Sequence, residues 1–240
     1  MIKIENVETM GWGGAIRGMR NAMNSWDKSD SKFCRLSCIT TDVNLDEEAC
    51  NFMCGGDLYR GFLQIGKADM KLCKNLIKAG SSDRKFMRMI HVQADVTAPL
   101  YLWKEYDTYK VGTVANSCST MHTLHKRDLT IDDFSHEHLD DTFGKTALIE
   151  TIRVINNARA YYNESKSKED WYAMIQLLPS SFNQMRTIDL DYETLFSIYH
   201  QRKNHKLDEW RAFCKWIETL PYMKEFLGLD ESSGSEEAKE

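Results

Sequence analysis

The stretch from Trp103 to His122 carries a high concentration of side chains that donate or accept hydrogen bonds. These polar residues are Lys104, Glu105, Asp107, Lys110, Thr113, Asn116, Ser117, Ser119, Thr120 and His122. A helix that only packs in a core would not carry so many polar groups, because each of them needs a partner in the protein or in a ligand. The stretch therefore predicts a ligand site. Its aromatic residues Trp103, Tyr106 and Tyr109 would either stack on a flavin or a base, or pack inside the protein.

Arg202 stands at the end of a predicted helix whose apolar stripe includes Leu195 and Ile198. A guanidinium presents five donors in a rigid plane, which suits a phosphate or the carbonyl groups of a pyrimidine. The alternative is an internal salt bridge to Asp208 or Glu209. The sequence leaves both interpretations open, one with Arg202 as a binding residue and one with Arg202 as a structural residue.

The chain has seven cysteines, and four of them form two CxxxC pairs in a stretch with the composition of a loop. The four are Cys34, Cys38, Cys50 and Cys54. Paired thiolates across a loop can close a tetrahedral zinc site, and the alternative is four ordinary reduced thiols. Cys73 and Cys214 lie on predicted helices, where a core position is expected. Cys118 would act as a nucleophile only if His122 or Lys110 lowered its pKa.

These residues require a scaffold, and the hydrophobic pattern predicts a helix-rich α+β fold. A helix over Met70–Ala79 ends at Gly80, and alternating apolar residues over 90–96 predict a strand that Pro99 ends. A polar helix is expected after this strand. Further amphipathic helices are predicted over Lys145–Glu164, Asp170–Leu178, Asp191–Gln201 and Asp208–Leu220. Because only two or three strands are indicated, we expect a small antiparallel or mixed sheet and not a doubly wound parallel one.

Composition limits the class of protein. Among the 240 residues no Pro/Gly/Ser linker divides the middle, so residues 1–229 are predicted to form one domain, with a Cys-rich insertion over residues 33–57. The formal net charge is −5, and residues 230–240 carry five carboxylates against one lysine, which predicts a disordered acidic tail and no basic surface for duplex DNA. No apolar run approaches the roughly 18 residues of a membrane span, and no leader pattern is present, so a cytoplasmic protein is expected.

The order of helix, strand ending in Ala-Pro and polar segment resembles the flavin-dependent thymidylate synthases, whose signature reads RHRxxSxNExSxRY. Ala98 and Pro99 match the end of the family's strand. Counted from the proline, with one inserted residue near Ala115, the signature falls on Thr108, Tyr109, Lys110, Thr113, Asn116, Ser117, Ser119, Met121 and His122. Lys110 keeps a cation, whereas the remaining arginines of the signature are replaced.

A second block, over Leu178–Arg202, has the same length as the family's C-terminal block without a gap. Both begin with Leu-Pro and end in an arginine that is followed by a histidine and an acidic residue. In this chain those residues are Arg202, His205 and Glu209. Asp191 stands where the family has an asparagine, and Arg186 lies one residue beyond an expected arginine.

The resemblance implies a homotetramer that binds FAD and dUMP where subunits meet, with methylenetetrahydrofolate as the one-carbon donor and hydride from reduced flavin. The implied cofactor-binding residues are Lys110, Thr113, Asn116, Asp191 and His205. The implied residues at a pyrimidine deoxynucleotide are Ser119, Arg186 and Arg202, of which Ser119 and Arg202 are also the implied catalytic residues. Because two signature arginines are replaced, alternatives stay open: another deoxyuridine substrate, or a non-enzymatic nucleotide-binding or interaction protein with this fold. A zinc-dependent interaction protein built around the cysteine pairs is a third class.

Overall fold

The computed structural model describes residues 2–33 and 63–230. Over these residues the chain divides into two compact units. The first comprises Met1–Val7, Gln93–Asp189 and Arg202–Cys214, and the second comprises Glu8–Val92, Leu190–Gln201 and Lys215–Glu240, each within the described ranges. The single domain stays a prediction, and so does the disordered tail, since residues 231–240 lie outside the described ranges.

Six strands lie within the described residues. They are β1 Lys3–Met10, β2 Lys32–Phe33, β3 Leu63–Gln64, β4 His91–Pro99, β5 Thr113–Ser117 and β6 Asn183–Asp191. Four of them form an antiparallel sheet in the order β1-β4-β6-β5, which places β5 at one edge, and β2 pairs separately with β3. The predicted small sheet is confirmed.

The helices follow the predicted amphipathic pattern closely. In the described ranges they are α1 Trp12–Met19, α2 Lys67–Ala79, α3 Leu100–Tyr106, α4 Thr120–Thr123, α5 Gly144–Ser165, α6 Lys168–Leu177, α7 Tyr192–Arg202, α8 Asp208–Ile217 and α9 Met223–Leu227. The predictions made for α2, α5, α6, α7 and α8 are confirmed. Gly80 ends α2 with a φ of 120°, a backbone conformation that residues with a side chain rarely adopt. None of these helices is long and apolar enough to cross a membrane.

Alternate residues of β4 are buried, as its period-two pattern predicts. Within the first unit the buried ones are Ala94, Val96 and Ala98. Side chains of the opposite face bond to those of β6: the Thr187 hydroxyl donates to Asp95 at 2.6 Å, and the Gln93 amide donates to Asp189 at 2.9 Å. The polar face of the strand is therefore satisfied by cross-strand hydrogen bonds.

A hydrophobic cluster of the first unit lies against the hairpin formed by α5 and α6. Its α5 residues are Leu148, Ile152 and Ile155, which the helical spacing identified, and α6 adds Met174. Leu124, Leu129 and Phe134 complete the buried set. Since every α5 member lies on one stripe, the long helix buries one face only.

Two elements of the first unit differ from the expectation. The segment predicted as a polar helix is helical to Tyr106 and again from Thr120, and strand β5 lies between these two helices. The β-branched residues Thr113 and Val114 favour extended backbone, which explains the difference. Strand β6 is not predicted by the sequence pattern. Gln184 and the half-buried Arg186 lie on the same face as Ile188, so polar residues interrupt the apolar side of the strand.

The second unit contains a buried ion pair at the first turn of α2. Arg20 Nε donates to Asp69 Oδ1 at 2.6 Å, and the two residues are only 5% and 0% exposed. Asp69 Oδ2 also accepts hydrogen bonds from the hydroxyl groups of Ser29 at 2.7 Å and Ser31 at 2.5 Å. Asp30 caps the helix by accepting from the backbone N–H of Asp69 at 3.0 Å. One carboxylate thus fastens the turn before β2 to the start of α2.

The seven cysteines comprise two buried residues, the exposed Cys118 and the four of the CxxxC pairs. Cys73 and Cys214 are buried, as predicted, and burial raises the pKa of the Cys73 thiol to about 12. The four CxxxC cysteines lie outside the described residues, so their zinc site stays a prediction. Over residues 2–33 and 63–230, no group of three or more potential ligands could hold a metal ion.

We expect the purified protein to contain about one equivalent of zinc, held by the four CxxxC thiolates. Serine at Cys34 should release the metal, because a structural site with one ligand removed is no longer a closed tetrahedron. Elemental analysis of protein prepared without chelators measures the content. The same analysis of Cys118→Ser is the control and should show no loss. Zinc below about 0.1 equivalent would leave four ordinary thiols.

Candidate functional site

The residues that resemble the first half of the signature lie along the turn after α3 and the edge strand β5. Lys110 is exposed in the turn, and Asn116 is exposed on the strand. The Thr113 hydroxyl donates to the Tyr109 carbonyl at 2.7 Å, so it fixes the turn. Ser119 is half-buried and precedes α4, and its hydroxyl makes no capping bond. Lys110 and Asn116 are therefore exposed on a turn and an edge strand, where the sequence had predicted a helix.

Arg202 ends α7 and is anchored on two sides. Its Nε donates to the Tyr109 hydroxyl at 2.9 Å, and its Nη1 donates to Glu105 Oε2 at 3.1 Å. The guanidinium lies over the Trp210 ring, 5.0 Å from the centroid, in a cation–π contact. An internal ion pair is present, but its partner is Glu105, so the expected partners Asp208 and Glu209 were wrong.

One nitrogen of the Arg202 guanidinium, Nη2, stays available. The side chain is 21% exposed, and Nη2 has no hydrogen-bond acceptor among residues 2–33 and 63–230. A guanidinium is planar, so the bonds at Nε and Nη1 also fix the direction of Nη2. The arrangement can offer a donor to a carbonyl or anionic oxygen of a ligand.

Glu105 accepts hydrogen bonds from two residues near the C-terminal block and lies close to a third. Besides Arg202, its Oε2 accepts from the indole N–H of Trp210 at 2.8 Å and lies 3.5 Å from His205 Nε2. The backbone N–H of Leu207 donates to His205 Nδ1 at 3.2 Å, so the neutral ring carries its proton on Nε2, on the side of Glu105. Sequence reasoning gave Glu105 no role, and its place in a polar run was the only signal.

Arg186 is largely satisfied by the protein. Its Nη1 donates to Asp107 at 2.7 Å, its Nε donates to Gln184 at 3.1 Å, and its guanidinium lies 4.4 Å from the Trp103 centroid. The side chain is 14% exposed. Its role as a substrate-binding residue stays a prediction, because the described contacts are structural.

The aromatic residues of the first block divide between packing and contact with Arg202. Trp103 and Tyr106 are buried and meet edge to face, with ring centroids 5.2 Å apart. Burial raises the pKa of Tyr106, and its hydroxyl has no hydrogen-bond partner in the described part of the chain. Tyr109 is half-buried and bonds to Arg202. Only Tyr109 is placed where it could also meet a ligand.

Asp191 lies in the second unit, at the end of β6. It is buried, and its Oδ1 accepts from the backbone N–H of Thr194 at 2.7 Å, so it caps the N-terminus of α7. Its role near a cofactor, which the resemblance implies, stays a prediction. The observed contact gives it a structural task.

A cavity of about 340 Å³ in the first unit lies beside the second half of the signature-like segment. It is lined by Thr97, Cys118, Thr120, Thr123, Leu124, Arg127, Leu129, Asp132, Asp133, Phe182, Asn183, Gln184 and Met185. Its size is at the lower end of the range for small-ligand pockets, roughly 300–1,000 Å³. Gln184 donates to the Cys118 carbonyl at 2.9 Å and holds one wall in place. Sequence reasoning missed Asn183 and Gln184 together with strand β6.

No family model matches the chain, and no curated protein matches it either. Solved structures do match, and two of them are of flavin-dependent thymidylate synthase X (ThyX) from Helicobacter pylori with FAD and dUMP. For one, the TM-score is 0.63 at 13% identity, over 96% of this chain and 98% of the other. For the second, the TM-score is 0.61 at 14% identity, over 94% and 99%. The chain therefore shares the fold of these two structures over nearly its whole length.

Proposed function

We propose that the protein binds a pyrimidine deoxynucleotide, dUMP or a related deoxyuridine nucleotide, together with FAD, as a flavin-dependent thymidylate synthase-like protein. The observation that carries the proposal is the fold shared with two ThyX structures that contain FAD and dUMP, over almost the full length of both chains. The oriented Nη2 group of Arg202 supports it, because a pyrimidine nucleotide offers the carbonyl and phosphate oxygens that such a donor binds.

The proposal includes the homotetramer and the folate co-substrate that the resemblance implies. Bound FAD would supply hydride, with methylenetetrahydrofolate as the one-carbon donor. The described residues fit an anionic cofactor in part: Lys110 is an exposed cation and Asn116 an exposed amide on the same edge strand and turn. Arg202 would donate to the pyrimidine, where negative charge builds in the reaction, and Ser119 would donate to the nucleotide.

A specific observation favours the non-enzymatic alternative. Where the signature has Arg-His-Arg, this chain has Thr108, Tyr109 and Lys110, and the Tyr109 hydroxyl is already engaged by Arg202. Two of the three phosphate-binding positions thus hold neutral side chains. A protein that keeps nucleotide binding and lacks flavin chemistry is consistent with this replacement.

Absorbance from about 350 to 500 nm of freshly purified protein, followed by calorimetric titration with dUMP, tests the proposal. Flavin absorbance with dUMP binding, and dTMP formation on adding methylenetetrahydrofolate and a reductant, is the expected result. Protein that stays colourless after incubation with FAD but still binds dUMP would favour the non-enzymatic alternative. Protein that binds neither molecule would contradict both.

A further inference from the structure

The carboxylate of Glu105 joins two distant parts of the chain. Glu105 belongs to α3, whereas Arg202, His205 and Trp210 belong to the end of α7, the connection and α8. All three approach the same oxygen, Oε2, at 3.1, 3.5 and 2.8 Å. One oxygen therefore accepts hydrogen bonds from Arg202 and Trp210, and His205 lies beside it.

This acceptor determines how Arg202 is presented. With Nη1 on Glu105, Nε on the Tyr109 hydroxyl and one face on Trp210, the guanidinium is held at two of its three nitrogens and on one face. The third nitrogen, Nη2, is the donor that a ligand can reach. If the bond to Glu105 is lost, rotation about the last side-chain torsions is restricted only by the Tyr109 hydroxyl and the Trp210 ring.

We infer that Glu105 is a positioning residue for Arg202. The Glu105 carboxylate orients the Arg202 guanidinium toward the pyrimidine nucleotide and does not itself contact the nucleotide. The inference rests on the proposed nucleotide binding at Arg202. A position three residues before Thr108 and outside the signature thereby becomes part of the binding function. The role depends on the place of an acceptor oxygen, so an amide of the same length should preserve it better than a shorter carboxylate.

The test is a double-mutant cycle on dUMP affinity, measured by calorimetry with Glu105→Ala, Arg202→Ala and the double variant. We expect Glu105→Ala to weaken binding roughly tenfold, the effect of a misplaced charged hydrogen bond, and the double variant to bind no more weakly than Arg202→Ala. Glu105→Gln should keep most of the affinity, and Glu105→Asp should lose more of it. The matched control is Glu150→Ala on α5, an exposed glutamate paired with Arg153, which should bind as the unmodified protein does.

Additive effects in the cycle would overturn the inference, since Glu105 would then act independently of Arg202. Wild-type affinity in Glu105→Ala would overturn it as well, and would leave the proposed function standing. If Glu105→Ala does not fold, the dUMP affinities of Glu105→Gln and Glu105→Asp test the inference instead. Tighter binding by Glu105→Asp than by Glu105→Gln would contradict it. Absence of dUMP binding by the unmodified protein defeats the proposed function, and the inference with it.

Discussion

Replacing Asp69 with alanine is expected to lower the free energy of unfolding by about 3–5 kcal/mol, the cost of removing one partner from a buried ion pair. Arg20 would keep its charge at a site where it is 5% exposed, and the donors of Ser29 and Ser31 would lose their common acceptor. For a protein of this size the change corresponds to a fall in Tm of roughly 6–20 °C. Thermal unfolding followed by circular dichroism measures it.

The control for this variant is Asp141→Ala, which removes an exposed carboxylate paired with Lys145. A surface pair of this kind contributes at most about 1 kcal/mol. If the two variants unfold at similar temperatures, the buried pair does not stabilise the second unit as the contacts indicate.

The same site makes stability depend on pH. Burial by itself would raise the pKa of Asp69, but hydrogen bonds from Ser31, Ser29 and Arg20 outweigh it and hold the pKa below its ordinary value of 3.8. The folded state therefore binds this proton less readily than the unfolded state. The stabilisation is complete above the ordinary value and decreases as the pH falls through the lower pKa of the folded state.

Replacing Arg202 with alanine is expected to weaken dUMP binding by about 1.5–3 kcal/mol, roughly 10- to 150-fold, because a charged donor to the nucleotide is lost. Stability should change little, since the partner carboxylate of Glu105 is 35% exposed and solvent can replace the guanidinium. Calorimetric titration gives the affinity, and thermal unfolding gives the stability.

Arg153→Ala is the matched control for Arg202→Ala, because Arg153 is also a helical arginine paired with a glutamate but lies on the exposed face of α5. It should bind dUMP as the unmodified protein does. An Arg202→Ala protein with unchanged affinity and a large loss of Tm would show that Arg202 is purely structural.

The parts of the fold that depend on local patterns could be predicted. The alternation in β4, the cap at Gly80 and the stripe of Leu148, Ile152 and Ile155 in α5 each follow from neighbours a few residues apart. Strand β5 was mistaken for a helix because its polar residues conceal the preference of Thr113 for extended backbone. In such segments the pairing strand, and not the local sequence, determines the structure.

The candidate site could be predicted only in part, because its geometry joins residues far apart in the sequence. Arg202 was identified from its position and chemistry, yet its partner Glu105 precedes it by 97 residues and was not foreseen. The same holds for Asp69, which looks like an ordinary first-turn acid of a helix. Its burial arises from Arg20 and from the Ser29–Ser31 turn, which the sequence marks only as a turn.

The pairing of β2 with β3 has a consequence for how the chain tolerates insertions. Phe33 lies opposite Leu63 and Lys32 opposite Gln64, and Asp69 fastens the adjoining turn, so positions 33 and 63 lie next to each other in the second unit. Closing a longer loop between fixed neighbouring ends costs only about 0.6 kcal/mol per doubling of its length. Positions 33 and 63 are such fixed neighbours, so we expect the stability of the unit to depend only weakly on the length of chain that joins them.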